Sequence, residues 1–350
     1  MRRTPKSHKT PRRWYHKGVS KQPARRKPAP ARKKTARPSP AKTGKTGKTG
    51  VVVGVGLATV DLLLVCPRID ERLVEASVFS MQAGGSASNM LAAMAVLGTR
   101  TRFFGRIADD EHGHFILRSM RNLRVDTSLV AIEEGKVSPV SILEIDELTR
   151  RRRIIRSRGN VTPVSPRDLP AGLLTGASML VIDGTQPALQ AAIAEKARDK
   201  EITVLLNASQ LSGGMGELLS LSDIVIGSER FAHELAPSDD MGDSLREILN
   251  LGPRIALITM GESGAVGLEG SKLVEQEALD VFVADTSGAG DAFAGGFAFA
   301  HLHGWPLERA VPFANAAAGL VCRSLGARSA LPTVEEVTAA MNGAQPTESA

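Results

Sequence analysis

Aromatic side chains are scarce in these 350 residues, at 4% of the chain, with two tryptophans and one tyrosine, Tyr15. A site that grips a flat base by stacking it on several rings is hard to build from so few. Cysteine is equally scarce. Cys66 and Cys322 are the whole complement, far apart, without metal-ligand spacing and set in apolar stretches. They read as buried free thiols, which removes the disulfide frameworks of small secreted domains. No apolar run reaches the roughly 18 residues that cross a bilayer. The first 50 residues, finally, hold no Asp or Glu at all.

That last absence changes the meaning of the net charge of +7. Of 44 Lys and Arg, 18 fall in residues 1–50, which leaves 26 against 37 Asp and Glu, a balance of −11. An acidic body carries a basic arm. The arm has seven prolines and ends in a three-fold KTG repeat, so it cannot bury enough surface to offset chain entropy and reads as disordered. Three roles stay open for it: an inert tail, contact with nucleic acid or another polyanion through counterion release, or organelle targeting, whose acid-poor, Arg-rich composition it shares. With no secretory-type apolar segment, a cytoplasmic protein is expected. The body is expected over residues 51–340, followed by a short tail at 341–350.

What the body does have is alternation of strand-like and helix-like runs. "VVVGVGLATVDLLLV" (51–65) reads as one buried strand, and 178–184, 202–208, 222–227 and 254–261 read likewise. Helical stretches fall at 86–97, 110–124, 187–200 and 228–236. This order predicts an α/β fold with a mostly parallel central sheet between helix layers. Residues 67–82 and 136–158 instead alternate polar with apolar, which suits a small second sheet exposed on one face. The run Arg150–Arg153 reads as an exposed hairpin tip.

Three motifs can carry chemistry. "VGVGLATVD" lacks the third glycine of a dinucleotide fingerprint, with Thr59 in its place, but puts Asp61 at what reads as the carboxyl end of the first strand, where α/β sheets bind ligands. "QAGGSASN" sets Gly84 and Gly85 before a helix that starts with Ser86, Ser88 and Asn89. In "DTSGAGDAFAGG" (285–296), a glycine-rich loop runs into a helix whose first turn holds Asp291. The amides of Gly288, Ala289 and Gly290 there make an anion hole suited to a phosphate. An acid beside an anion hole is what phosphoryl transfer needs: a base for the attacking hydroxyl and donors for the transferred charge.

"DTSGAGD" resembles the signature of the ribokinase-like PfkB carbohydrate kinases, and "AGGSASN" resembles their N-terminal glycine motif, about 200 residues upstream. The similarity runs from about 51 to 340, nearest the ketohexokinase and sulfofructose kinase branch. It implies a three-layer α/β/α domain with a small β-sheet lid, built from strands within 67–82 and 136–158. It implies transfer of the ATP γ-phosphate to a sugar hydroxymethyl group with Mg²⁺, admits a monovalent cation, and suggests a homodimer through the lid. Asp291 would be the base; Asp61, Gly85, Asn89 and the lid residue Arg158 would hold the sugar. Thr259, Gly261, Gly264 and Asn315 would line the nucleotide site. The family's N-x-x-E acid is missing from "SERF", where Ser228 and Phe231 stand, so metal ligation is unassigned and Glu229 is the only substitute nearby. Two other functions stay open: a nucleoside kinase, and a catalytically silent scaffold whose arm binds nucleic acid. Pro312, inside an otherwise helical run, predicts a break or kink.

Overall fold

Valine, isoleucine and leucine fill the central strands on both faces, so each strand buries alternate residues in opposite directions. The computed structural model describes residues 50–343 except 71, 150 and 239. Expectations for the arm and for the last seven residues lie outside the described residues.

In chain order, β1 (Val51–Val55), β2 (Thr59–Cys66) and β3 (Val78–Gly84) lead into α1 (Ser86–Val96). Then come β4 (Thr101–Ala108), α2 (Glu111–Asn122), β5 (Val130–Glu133), β6 (Val140–Asp146) and β7 (Arg152–Ser157). Alternation follows through β8 (Ala177–Ile182), α3 (Pro187–Asp199), β9 (Thr203–Ala208), α4 (Met215–Leu221) and β10 (Ile224–Ser228). After α5 (Glu229–Leu235) and α6 (Met241–Asn250) come β11 (Ile255–Thr259), β12 (Ala265–Glu269) and β13 (Lys272–Gln276). The helices α7 (Ala289–Leu302), α8 (Leu307–Val321) and α9 (Val334–Met341) close the chain.

Nine strands form the main sheet in the order β13-β12-β11-β10-β9-β8-β1-β4-β5. It is parallel from β11 to β5 and antiparallel at β12 and β13. In β8, Met179 and Val181 enter the core that α1, α7 and α8 cover, while Leu180 and Ile182 enter the opposite core with α3 and α4. Three layers result. The sheet order reverses at β1, which has β4 on one side and β8 on the other, and a crevice at such a reversal is where open α/β sheets bind ligands.

The second sheet has four strands, β3-β2-β6-β7. Here the structure corrects the reading of 51–65 as one strand. Gly56, Leu57 and Ala58 break it, β1 stays in the main sheet, and β2 crosses into the small one. Asp61 is therefore not the end of the first strand but the third residue of β2. No side chain fits at the break, because a Cβ on Gly56 would meet the Asp183 carboxylate at 2.2 Å. Pro312 brings a second correction. α8 runs through it unbroken, since the burial of Val311, Phe313 and Ala314 around it outweighs one lost hydrogen bond. Both cysteines are buried and free.

Candidate active site

The site is assembled at the first turn of α7. Gly288 caps this helix in a left-handed conformation, φ 78°, which only glycine adopts without cost. The amide of Ala289 turns back to the Thr286 carbonyl at 3.3 Å, and that of Ala292 bonds to Gly288. The amides of Gly288, Gly290 and Asp291 have no acceptor among the described residues. A Cβ on Gly290 would meet nothing within 4 Å, so there is open space beside this residue. Asp285, the first acid of the motif, has a different task. It is buried and accepts from Ser287 and from the Gly326 amide at 2.9 Å, which braces the loop.

Asp291 takes three side-chain donors. Ser86 gives its hydroxyl to Oδ1 at 2.6 Å, Asn207 gives an N–H to the same oxygen at 3.1 Å, and Asn89 gives one to Oδ2 at 2.9 Å. Ser86 and Asn89 lie one turn apart on α1, which packs against α7, and Asn207 is the last residue but one of β9. Burial pushes the Asp291 carboxyl up to about 6. The donors from Ser86 and Asn89 and the charge of Arg328 pull it down, while the charge of Asp183 adds to the rise.

Gly85 caps α1 with φ 99°, and a side chain there would strike the Leu57 carbonyl at 2.0 Å. Beside it, a Cβ on Gly84 would stand 2.0 Å from Oδ2 of Asp61. Burial raises the Asp61 carboxyl, opposed by hydrogen bonds from Thr59 and Ser141 and by the charges of Arg328 and Arg156. Asp61 pairs with Gln82 on one side and Ser141 on the other, and Ser141 pairs with Arg156. These four residues therefore form one row on one face of the small sheet. Arg158 lies just beyond β7, exposed, and no hydrogen bond or ion pair joins it to another described residue. The structure does not bring it to Asp291.

The other predicted group sits on the next strands. Thr259 ends β11 and pairs with Ser228 at the end of β10, which neighbours β9 and Asn207. Thr259 stands two strands away from Asn207 and two residues further toward the carboxyl edge of the sheet. Gly261 and Gly264 shape the turn that follows, both with positive φ. Asn315, on α8, donates to the Glu277 carbonyl at 2.8 Å. Ser228 caps α5, accepting from the Phe231 amide and donating to Ser209. Glu229 is exposed and 4.0 Å from His233. Among the described residues, no three His, Cys, Asp or Glu converge on a metal position.

Three polar residues of the site escaped the sequence reading. Asn207 and Asp183 lie at the carboxyl ends of β9 and β8, where the rule that picked out Asp61 would also have found them. Arg328 has no such signal. It is one of two arginines in the loop after α8, and the fold alone brings it to Asn89 at 2.8 Å.

Residues 50–334 match the family described as pfkB family carbohydrate kinase. The 5-dehydro-2-deoxygluconokinase of Halalkalibacterium halodurans is 28% identical over 82% of this chain and 93% of its own. The ATP-dependent ribose-1-phosphate kinase of Halopiger xanaduensis is 30% identical over 82% of this chain and 97% of its own. Among solved structures, a putative ribokinase from Agrobacterium tumefaciens superimposes with a TM-score of 0.75 at 26% identity, covering 85% of this chain and 98% of that one.

Proposed function

This chain belongs to the pfkB family of carbohydrate kinases, and on that premise we propose that it moves the γ-phosphoryl group of ATP onto a hydroxymethyl group of a sugar, with Asp291 as general base. Family membership makes it a sugar kinase, a phosphotransferase with an alcohol group as acceptor. One observation carries the finer reading: the Asp291 carboxyl, raised by burial to about 6, sits in the same helical turn as three amides with no acceptor among the described residues.

Such a carboxyl is ionised at neutral pH yet more basic than an exposed aspartate, which suits a group that must accept a hydroxyl proton. Oδ2 has one donor, from Asn89, and keeps a lone pair for the acceptor. As the hydroxyl attacks, charge on the transferred group faces the amides of Gly288, Gly290 and Asp291. Asp61, Gly85 and Asn89 serve the sugar side in this reading. Thr259, Gly261, Gly264 and Asn315 serve the nucleotide side.

Unpaired amides at a helix start are the donors a phosphate takes. Mg²⁺ neutralises nucleotide phosphates when bound, and it commonly needs one or two carboxylates plus phosphate oxygens and water. With no preformed cluster among the described residues, nucleotide phosphates would be its main ligands. Glu229 reads as a solvated acid at a helix start.

For the acceptor we favour a sugar bearing an anionic group. Arg156 stands in the same row as Asp61, and one relative is named for ribose 1-phosphate. We also take the opposite face of the small sheet as a contact with a second copy of the chain. Met81, Leu62, Ile142 and Ile155 form one apolar row there, and Phe79 beside it is 64% exposed. Sedimentation at several concentrations tests that contact. The enzyme reading is tested by ATP turnover with Mg²⁺ across ribose, fructose, ribose 1-phosphate and nucleosides. Turnover that one acceptor stimulates and Asp291→Asn abolishes supports it; equal turnover in the variant removes Asp291 as base.

A further inference from the structure

The loop after α8 delivers a cation to the back of the catalytic aspartate. Arg328 donates from Nε to Asn89 Oδ1 at 2.8 Å, from Nη2 to the Ser88 hydroxyl and to the Gly84 carbonyl at 3.4 Å, and from Nη1 to the Ser119 hydroxyl at 3.4 Å. All of these acceptors are neutral oxygens. No carboxylate lies within ion-pair distance of it among the described residues, although the charges of Asp61 and Asp291 act on it. Burying a guanidinium against neutral partners is costly, and a strut tying a loop to a helix could be built from uncharged residues. The charge needs another reason.

Asn89 supplies it. An amide side chain has an oxygen and a nitrogen of nearly equal size, and its partners decide which end points where. Arginine has only donors, so the end facing Arg328 is the oxygen. The other end, facing Asp291, is then the N–H donor, at 2.9 Å from Oδ2. The reverse orientation would set an oxygen against the carboxylate and hydrogens against the guanidinium. We propose that Arg328 is a positioning residue that locks the Asn89 amide as a donor to Asp291, and so fixes the orientation and ionised form of the base.

This rests on the reading of Asp291 as base, but its first consequence is a property of the resting protein. The groups facing Asp291 are few: Ser86 and Asn89 from α1, Asn207 from β9, the Asp183 carboxylate beyond β8, and Arg328 with Asp61 behind it. Only Arg328 among them is a cation. The same loop is held by the small sheet, because Gln82 on β3 donates to the Leu325 carbonyl at 2.8 Å and the Ser329 hydroxyl at 2.7 Å, and accepts from the Arg328 amide at 3.4 Å. A neighbour of Asp61 in the small sheet is thus one residue away from the device that sets the base.

The test compares Arg328→Gln, Arg328→Lys and Asn89→Ala in the full chain by two measurements. One is the carboxyl carbon titration of Asp291 by NMR, which needs no acceptor; the other is the pH profile of kcat. Arg328→Gln is expected to move the Asp291 midpoint and the acidic limb of kcat upward by about one pH unit, a roughly tenfold loss well below the limb. KM for ATP should stay unchanged. Lysine keeps a charge and a donor for Asn89 Oδ1, so it should restore the limb despite losing the other three bonds. Asn89→Ala should shift the limb as Arg328→Gln does. If Arg328→Gln fails to fold, the lysine and Asn89 variants decide. An Asp291 midpoint unmoved by Arg328→Gln or by Asn89→Ala, in folded protein, overturns the proposal, as does a limb that Lys shifts as far as Gln. Failure of the base itself would show separately, as turnover surviving in Asp291→Asn.

Discussion

The Cβ that Gly288 lacks would stand 2.4 Å from the Cβ of Ala327. The loop carrying the unpaired amides and the loop carrying Arg328 are therefore packed closely, with no room for a methyl group between them. Gly288→Ala must also hold a left-handed φ of 78°. We expect it to lose on the order of 1–3 kcal/mol of stability and most of its phosphoryl transfer. Gly290→Ala is the contrast, because its Cβ meets nothing within 4 Å. It should melt like wild type while its KM for ATP rises, since the methyl stands beside the unpaired amides. Thermal unfolding and steady-state kinetics on both variants separate the two effects, and matching melting curves for the pair would contradict the packing account.

Asp291→Asn should lower kcat by roughly 10²–10⁴, the usual worth of a positioned proton acceptor, with nucleotide binding intact by calorimetry. In the wild-type protein, kcat should fall below about pH 6, where the Asp291 carboxyl takes its proton. A profile flat down to pH 5 would count against Asp291.

The same carboxyl makes a stability prediction of defined sign. Its folded value of about 6 lies above the ordinary aspartate value of 3.8, so between these values the folded state binds more protons than the unfolded one. Asp291 therefore costs stability as pH rises through that window, by up to about 3 kcal/mol at neutral pH. Asp291→Asn should melt higher relative to wild type at pH 8 than at pH 4. Melting temperatures at the two values check it, and a gap that widens toward acid would refute it.

Pro312→Ala restores an N–H inside α8, which already runs unbroken through this position. A gain on the order of 1–2 kcal/mol is expected, part of the roughly 3 kcal/mol that an interior proline costs. Chemical denaturation measures it, and unchanged stability would mean that the helix has already relaxed around the ring.

Removing residues 1–50 should leave turnover nearly unchanged. A large loss in a folded, shortened protein would give the arm a part in catalysis.

Local chemistry made much of this protein legible. The glycine-rich run before Asp291 and the glycine pair before Asn89 can be read directly, because an open amide at a helix start depends on neighbouring residues alone. The alternation of strands and helices is equally local, and it yields the three-layer fold. The break at Gly56–Ala58 was not legible. Both halves of 51–65 are apolar and β-branched, and only the pairing of β2 with β3 and with β6, some 80 residues on, separates the second half from the main sheet. Arg328 was invisible for the same reason. Whether an isolated arginine is surface charge or the partner of an active-site amide depends on where α8 ends relative to α1. Sequence determined which groups can donate, accept or turn; tertiary structure decided which of them meet, because those contacts join segments that only the packed core brings within hydrogen-bond reach.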